Sequence, residues 1–280
     1  AEYLLENKPW DFFVMVEMGP DRLNHGVWSY IDPNHPRYEP GNQYENCLRE
    51  YYRYLDGKVG DILEHADDDT TVLVVSDHGA KAMVGGVCFN EWLEAEGLLS
   101  FSGDKPDGIT PINKMTIDWS KTKAWGDGGY YGRLFLNVEG REPQGIIPAA
   151  DYESVRDELI TKIEKMVDHE GNPMGNKAHK PEDLYGAQNG VAPDLIVIFG
   201  ELRWRSVGSL GHGSVYTFEN DTGPDEANHA EYGILIMNNA PGQATGEKSG
   251  MHLWDVHSTI LDLFDIAPAQ GALGTSVLKK

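Results

Sequence analysis

Apolar residues in this chain fall into two patterns that alternate along it: short uninterrupted runs, and stripes at helical spacing. The runs are Asp11 to Met18 (DFFVMVEM), Thr70 to Ser76 (TTVLVVS), Ala192 to Phe199 (APDLIVIF) and Tyr232 to Met237 (YGILIM). Runs of this length with so few charges predict strands buried on both faces. Arg133 to Val138 predicts a further strand. Asn42 to His65 instead places Leu48, Tyr51, Tyr52, Leu55, Val59, Ile62 and Leu63 on one side of a helix. Asp151 to Val167 predicts an amphipathic helix with Asp151 at its N-cap. Phe89 to Leu99 predicts a short helix and Trp254 to Phe264 a closing one. Strands that alternate with helices predict an α/β fold, a mainly parallel sheet sandwiched between helices. From Phe101 to Gly132 the pattern weakens under Gly, Pro and Asp, so roughly residues 100–190 read as a smaller irregular α+β insertion. The whole of 1–280 then forms a single domain. Gly200 to Ala230 is polar and glycine-rich and predicts a long loop near the site or at the surface.

Composition narrows the class. Seven Trp and thirteen Tyr supply enough surface to bury that disorder is excluded as the default. No run of eighteen apolar residues is present, which predicts no membrane span. The formal net charge of −22 repels a nucleic-acid polymer, and no Lys/Arg cluster offers a groove for one. The acidic excess fits divalent cations and, more commonly, simple solubility. Cys47 and Cys88 are too few and too far apart for a disulfide framework. Read as reduced core thiols, they favour a cytoplasmic location.

The polar residues that adjoin three of the strands have the types of metal ligands. Asp21-Arg-Leu-Asn-His25 follows the first, Ser76-Asp77-His78-Gly79 follows the second, and Asn228-His229 precedes the fourth. Carboxylate and imidazole suit Zn²⁺, Mn²⁺ or Fe. One helical turn would put Asp21 and His25 on one face, and a sharp turn at Gly79 would aim Asp77 and His78 together. The other histidines read blandly: His212 as a loop residue, His252 and His257 as structural or supporting residues at the last helix, and His35, His65, His169 and His179 as surface. Trp28 and Tyr30 fit the core at least as well as a substrate pocket, while Lys81 and Arg22 stand beside the motifs, where a charged donor can reach a phosphate but more often simply faces solvent.

Taken together, these motifs resemble the alkaline phosphatase superfamily, and more closely its type I phosphodiesterase and nucleotide pyrophosphatase branch with the predicted phosphohydrolase/phosphomutase relatives. The likeness runs through Asp21 to Trp28 (DRLNHGVW), Val74 to Gly79 (VVSDHG), Phe89-Asn90-Glu91-Trp92-Leu93, Asn137 to Gly145, Ala192-Pro193-Asp194-Leu195, His229 with Gly233-Ile234-Leu235-Ile236, and Asp255-Val256 with Thr259-Ile260-Leu261. The resemblance implies an alkaline phosphatase-like fold and two divalent metal ions, zinc first with manganese or iron as alternates. Asp21, His25 and His229 would hold one ion, and Asp77 and His78 the other. It implies metal-dependent hydrolysis of a phosphate mono- or diester of a small phosphorylated substrate. Two cations about 4 Å apart stabilise both the attacking and the leaving oxygen of an in-line displacement. In relatives an N-terminal βα unit adds an Asp and a Thr or Ser nucleophile, and no stretch before Asp21 has room for that unit. The expectation is therefore a chain that supplies most metal ligands without its nucleophile. A phosphomutase and a non-catalytic metal- or phospholigand-binding fragment are the competing readings. Oligomeric state leaves no trace in the sequence.

Overall fold

The computed structural model describes residues 1–103, 108–219, 225–242 and 246–279. Its first elements are helices α1 (Glu2–Asn7), α2 (Gly19–Ile31) and α3 (Cys47–Leu63), strands β1 (Val72–Val75), β2 (Gly79–Ala82) and β3 (Gly85–Cys88), and helix α4 (Phe89–Ala95). Next come β4 (Thr110–Pro111), β5 (Ala124–Asp127), β6 (Gly132–Leu136), α5 (Tyr152–Glu164), β7 (Lys177–His179) and α6 (Pro181–Tyr185). The chain then forms β8 (Leu195–Ile198), β9 (Trp204–Val207), β10 (Ser209–Leu210), β11 (Tyr216–Thr217), β12 (Ala227–Ala230), β13 (Leu235–Asn238) and α7 (Leu253–Leu263). These elements divide between two compact units. One comprises Ala1–Glu17, Glu50–Gly79 and Glu231–Lys280, the other Met18–Arg49 and Ala80–Ala230.

In the first unit β1 pairs antiparallel with β13, Val75 opposite Leu235 and Val72 opposite Asn238. Ser76 extends the ladder: its N–H donates to Ile234 O at 3.0 Å and its Oγ accepts Ile234 N–H at 2.7 Å. Gly233 must be glycine here, because a Cβ would fall 2.3 Å from Ser76 Oγ. Helix α7 is pinned by buried Asp255, which accepts the backbone N–H groups of His252 and Thr275 at 2.7 and 2.8 Å. His252 thus has a structural place, at the entry to α7, and His257 is exposed. The strand expected over Asp11 to Met18 is not formed. Residues 12–18 carry no ladder pairing among the described residues, and Val14 and Val16 are 72% and 81% exposed. An apolar run has strand propensity but becomes a strand only where a neighbouring backbone takes up its N–H and C=O groups.

The second unit is built on a four-stranded sheet in the order β5-β6-β8-β7, antiparallel throughout. Alternation along β6 sends Leu134 and Leu136 inward to meet Leu195 and Val197 of β8, all fully buried. Helix α5 covers this sheet through Leu159 and Ile163. Phe89 opens α4 and packs edge-on to Phe199 at 5.2 Å. Asn90, fully buried beside it, ties α4 to the sheet: its Nδ2 donates to Gly126 O and Gly208 O, and its Oδ1 accepts Gly126 N–H at 2.8 Å. Asp194 has a similar role at the start of β8. It accepts both Nη groups of Arg141 at 2.6 and 2.7 Å, Leu136 N–H at 2.6 Å and the Tyr152 hydroxyl at 2.6 Å.

The fold is mixed α/β, with its strands spread over several small sheets. Of the strand pairs with a described direction, six are antiparallel and one, β3–β9, is parallel. The expectation of a mainly parallel sheet rested on apolar runs such as β8. β8 is largely buried, which the antiparallel β6–β8–β7 arrangement provides as well as a parallel one; β1 and β13, from runs of the same kind, are not buried on both faces, with Val75 38% and Ile236 56% exposed. Gly200 to Ala230 is also not a plain loop. It contains β9 to β12, while its residues 220–224 lie outside the described part. His35, expected at the surface, is buried, with Nε2 3.3 Å from Met83 O and 3.6 Å from Glu226 Oε2.

Candidate metal centre

The Gly19-Pro20 pair that looks like a breaker in the sequence is the first turn of α2. Proline belongs there, since the first helical N–H groups have no partner within the helix. Asp21 therefore sits in the first turn, and His25 follows one turn later on the same face, its Nε2 3.5 Å from Asp21 Oδ1. The opposite wall is β12, a neighbour of β2. Glu226, just ahead of β12, donates its backbone N–H to His25 O at 2.8 Å and so ties the two elements together. Three residues on, His229 lies with its ring 5.4 Å from that of His25. The result is a carboxylate and two imidazoles whose ligand atoms all lie within 4.8 Å of one another.

Around this group the packing is polar and ordered. Asn228 is fully buried; its Nδ2 donates to Tyr130 O at 3.2 Å, and its Oδ1 accepts His229 N–H at 2.8 Å. The Tyr130 ring lies against both imidazoles, 5.2 Å from His25 and 4.5 Å from His229. Its hydroxyl donates to Asp225 Oδ2 at 3.3 Å, and Asp225 Oδ1 is 2.7 Å from His25 Nδ1. Burial, and next the Asp225 carboxylate, push the Tyr130 phenol up to about 12. Behind the site Glu226 accepts the Arg37 guanidinium.

The donor set fits a divalent cation. Imidazole and carboxylate are the ligands of zinc and its neighbours. Two metal–ligand bonds span roughly 4 Å, so small rotations would bring these three groups onto one ion.

Asp77 and His78 belong to the first unit and stand side by side at the end of β1. His78 N–H donates to Asp77 Oδ1 at 3.1 Å, and His78 Nδ1 is 2.9 Å from Gly79 O. His78 Nε2 lies 3.5 Å from Asp77 Oδ2, with the Asp77 side chain mostly exposed. Within the second unit the structure gathers Asp21, His25 and His229 into one group, and within the first it places Asp77 beside His78. Of the other candidates, Lys81 donates to Glu201 O at 2.8 Å and Trp28 to Asp32 Oδ2 at 3.0 Å. Tyr30 is half-exposed, edge-on to Tyr44 at 5.2 Å. His212 is engaged locally by Ser209, 2.9 Å away.

Sequence reasoning missed Asp225 and Tyr130. Asp225 carried one signal, an acidic side chain four positions before a candidate ligand His. Tyr130, after Gly128-Gly129, carried none. Among known proteins, no significant match was found in the curated set. The family model described as type I phosphodiesterase / nucleotide pyrophosphatase matches residues 1–225, a span that ends at Asp225.

Proposed function

The chain belongs to the type I phosphodiesterase / nucleotide pyrophosphatase family of the alkaline phosphatase superfamily, and on that premise we propose that it takes part in metal-dependent hydrolysis of phosphodiester or pyrophosphate bonds in a small phosphorylated substrate. Asp21, His25 and His229 hold one cation in this reading, and Asp77 with His78 contributes to holding a second, zinc being the first choice of metal. The observation that carries it is the convergence of a helix-borne carboxylate and imidazole on a strand-borne imidazole, all within 4.8 Å. A bound cation supplies Lewis-acid neutralisation of the charge that builds on phosphate oxygens.

The chain's own residues do the rest. The rigid α2 turn holds Asp21 and His25 at a fixed spacing. Asn228 fixes the backbone that presents His229, and the Tyr130 ring closes one side of the site and limits how far either imidazole can swing. The family's assignment to phosphoryl chemistry and the acidic surface, at −22, agree on a small ligand brought in by cations rather than a nucleic-acid polymer.

The test is a titration of metal-free protein with Zn²⁺ and Mn²⁺, followed by assay of a chromogenic phosphodiester, a phosphomonoester and a sulfate ester. Cation uptake that is lost in His229→Ala is the expected result, and diester hydrolysis that needs the cation would add a nucleophile to what the sequence places in this chain. Cation uptake with no turnover of any ester would replace hydrolysis by a binding role. No uptake at all would end the metal reading.

A further inference from the structure

Every polar contact of His25 is directional. Its Nε2 faces Asp21, with 3.5 Å to Oδ1, whereas its Nδ1 lies 2.7 Å from Asp225 Oδ1. A carboxylate only accepts hydrogen bonds, so the proton in the shorter contact belongs to Nδ1, and the lone pair of the neutral ring is then on Nε2. Asp225 is itself held. Its second oxygen accepts the Tyr130 hydroxyl at 3.3 Å, and its side chain is only 15% exposed. The next residue, Glu226, donates its backbone N–H to His25 O at 2.8 Å. One short segment therefore grips His25 twice, by side chain and by main chain, while the Tyr130 ring stacks on the imidazole at 28°.

Resting on the metal reading above, we propose that Asp225 is a positioning residue: it fixes His25 as the Nδ1–H tautomer with Nε2 turned to the cation, and Tyr130 in turn holds Asp225. A carboxylate behind a ligand imidazole orients the ring and raises its basicity, and its loss typically weakens metal affinity by about 10–100-fold. The pairing gives the Asp225 carboxylate a specific partner. It accepts the Nδ1–H and leaves Nε2 on the side of Asp21.

The experiment uses the full chain labelled with ¹⁵N-histidine and stripped of metal. Long-range ¹H–¹⁵N spectra read which ring nitrogen bears the proton, and the His25 signals are assigned by their loss in His25→Gln. Wild-type protein is expected to show Nδ1–H at His25. Asp225→Ala is expected to give a tautomer mixture and a 10–100-fold loss of Zn²⁺ affinity, and Tyr130→Phe a smaller loss. Nε2–H in the wild type overturns the proposal without recourse to any variant. So does an Asp225→Ala protein with wild-type tautomer and wild-type affinity. Wild-type protein that shows Nδ1–H yet takes up no Zn²⁺ supports the placement by Asp225 and overturns the metal reading instead.

Discussion

His25 follows Asp21 by one turn of α2, and its Nε2 stands 3.5 Å from the Asp21 carboxylate. Two candidate ligands four residues apart on a helix come pre-spaced, so little chain ordering would remain to be done were an ion to bind. Asp21→Ala and His229→Ala are each expected to weaken Zn²⁺ binding by more than the roughly 100-fold that loss of a supporting residue costs. Competition against a chromophoric chelator measures this. Wild-type affinity in either variant would remove that residue from the ligand set.

Tyr130 offers a second handle. Its phenol titrates near 12, chiefly through burial and then through Asp225. A folded-state value above the unfolded one, about 10, means the neutral phenol is the form the fold favours. That contribution is fully present below pH 10 and fades as pH rises from about 10 to about 12. NMR titration of ring-labelled tyrosine, assigned with Tyr130→Phe, should show one late signal at this residue. In Asp225→Asn it should move down only part of the way, because burial remains. A Tyr130 that titrates near 10 in the wild type would refute the arrangement.

Asn90 predicts a stability effect with no direct bearing on the chemistry. Its amide satisfies two carbonyls and one N–H in a site sealed from water. Asn90→Ala strands those groups, at about 1–3 kcal/mol for each one left unsatisfied. A loss of at least about 3 kcal/mol in denaturant unfolding, with Zn²⁺ affinity little altered in the folded protein, is the expected outcome. A loss below about 0.5 kcal/mol would mean that water replaces the amide freely.

Gly233 joins backbone geometry to the Asp77–His78 pair. A methyl group there would meet Ser76 Oγ at 2.3 Å and Ser76 O at 2.9 Å. Gly233→Ala must push Ser76 aside, at about 1–3 kcal/mol, and Asp77 is the next residue. Amide shifts spread over 76–78 and a lowered unfolding temperature are expected. An unperturbed spectrum would show that the two segments are not in this contact.

Much of this architecture is legible before any coordinates. Apolar periodicity locates α3, α4, α5 and α7, and the β-branched or aliphatic runs locate β1, β8 and β13, although α3, β1 and β13 contain no fully buried residue. Sheet direction is not recorded that way, which is why β8 suggested parallel neighbours and has antiparallel ones. The Asp11 to Met18 run shows the complementary limit, that propensity without a ladder partner leaves an exposed segment. At the site, Asp21, His25 and His229 were readable from residue type and spacing beside strands. Asp225 and Tyr130 were not, since a side chain that steadies another is defined by where the folded chain places it. The Ala192-Pro193-Asp194 and Phe89-Asn90 motifs stood out in sequence as well. The structure gives both a clamping role, with Asp194 under Arg141 and Asn90 between Gly126 and Gly208.

His25 and Asp225 are 200 positions apart, and His229 lies further on still. A ribosome would release Asp21 and His25 long before the third donor emerged. Any ion met by the nascent polypeptide would find only two of the three groups, so a cation held here as proposed would have to bind after synthesis has passed His229.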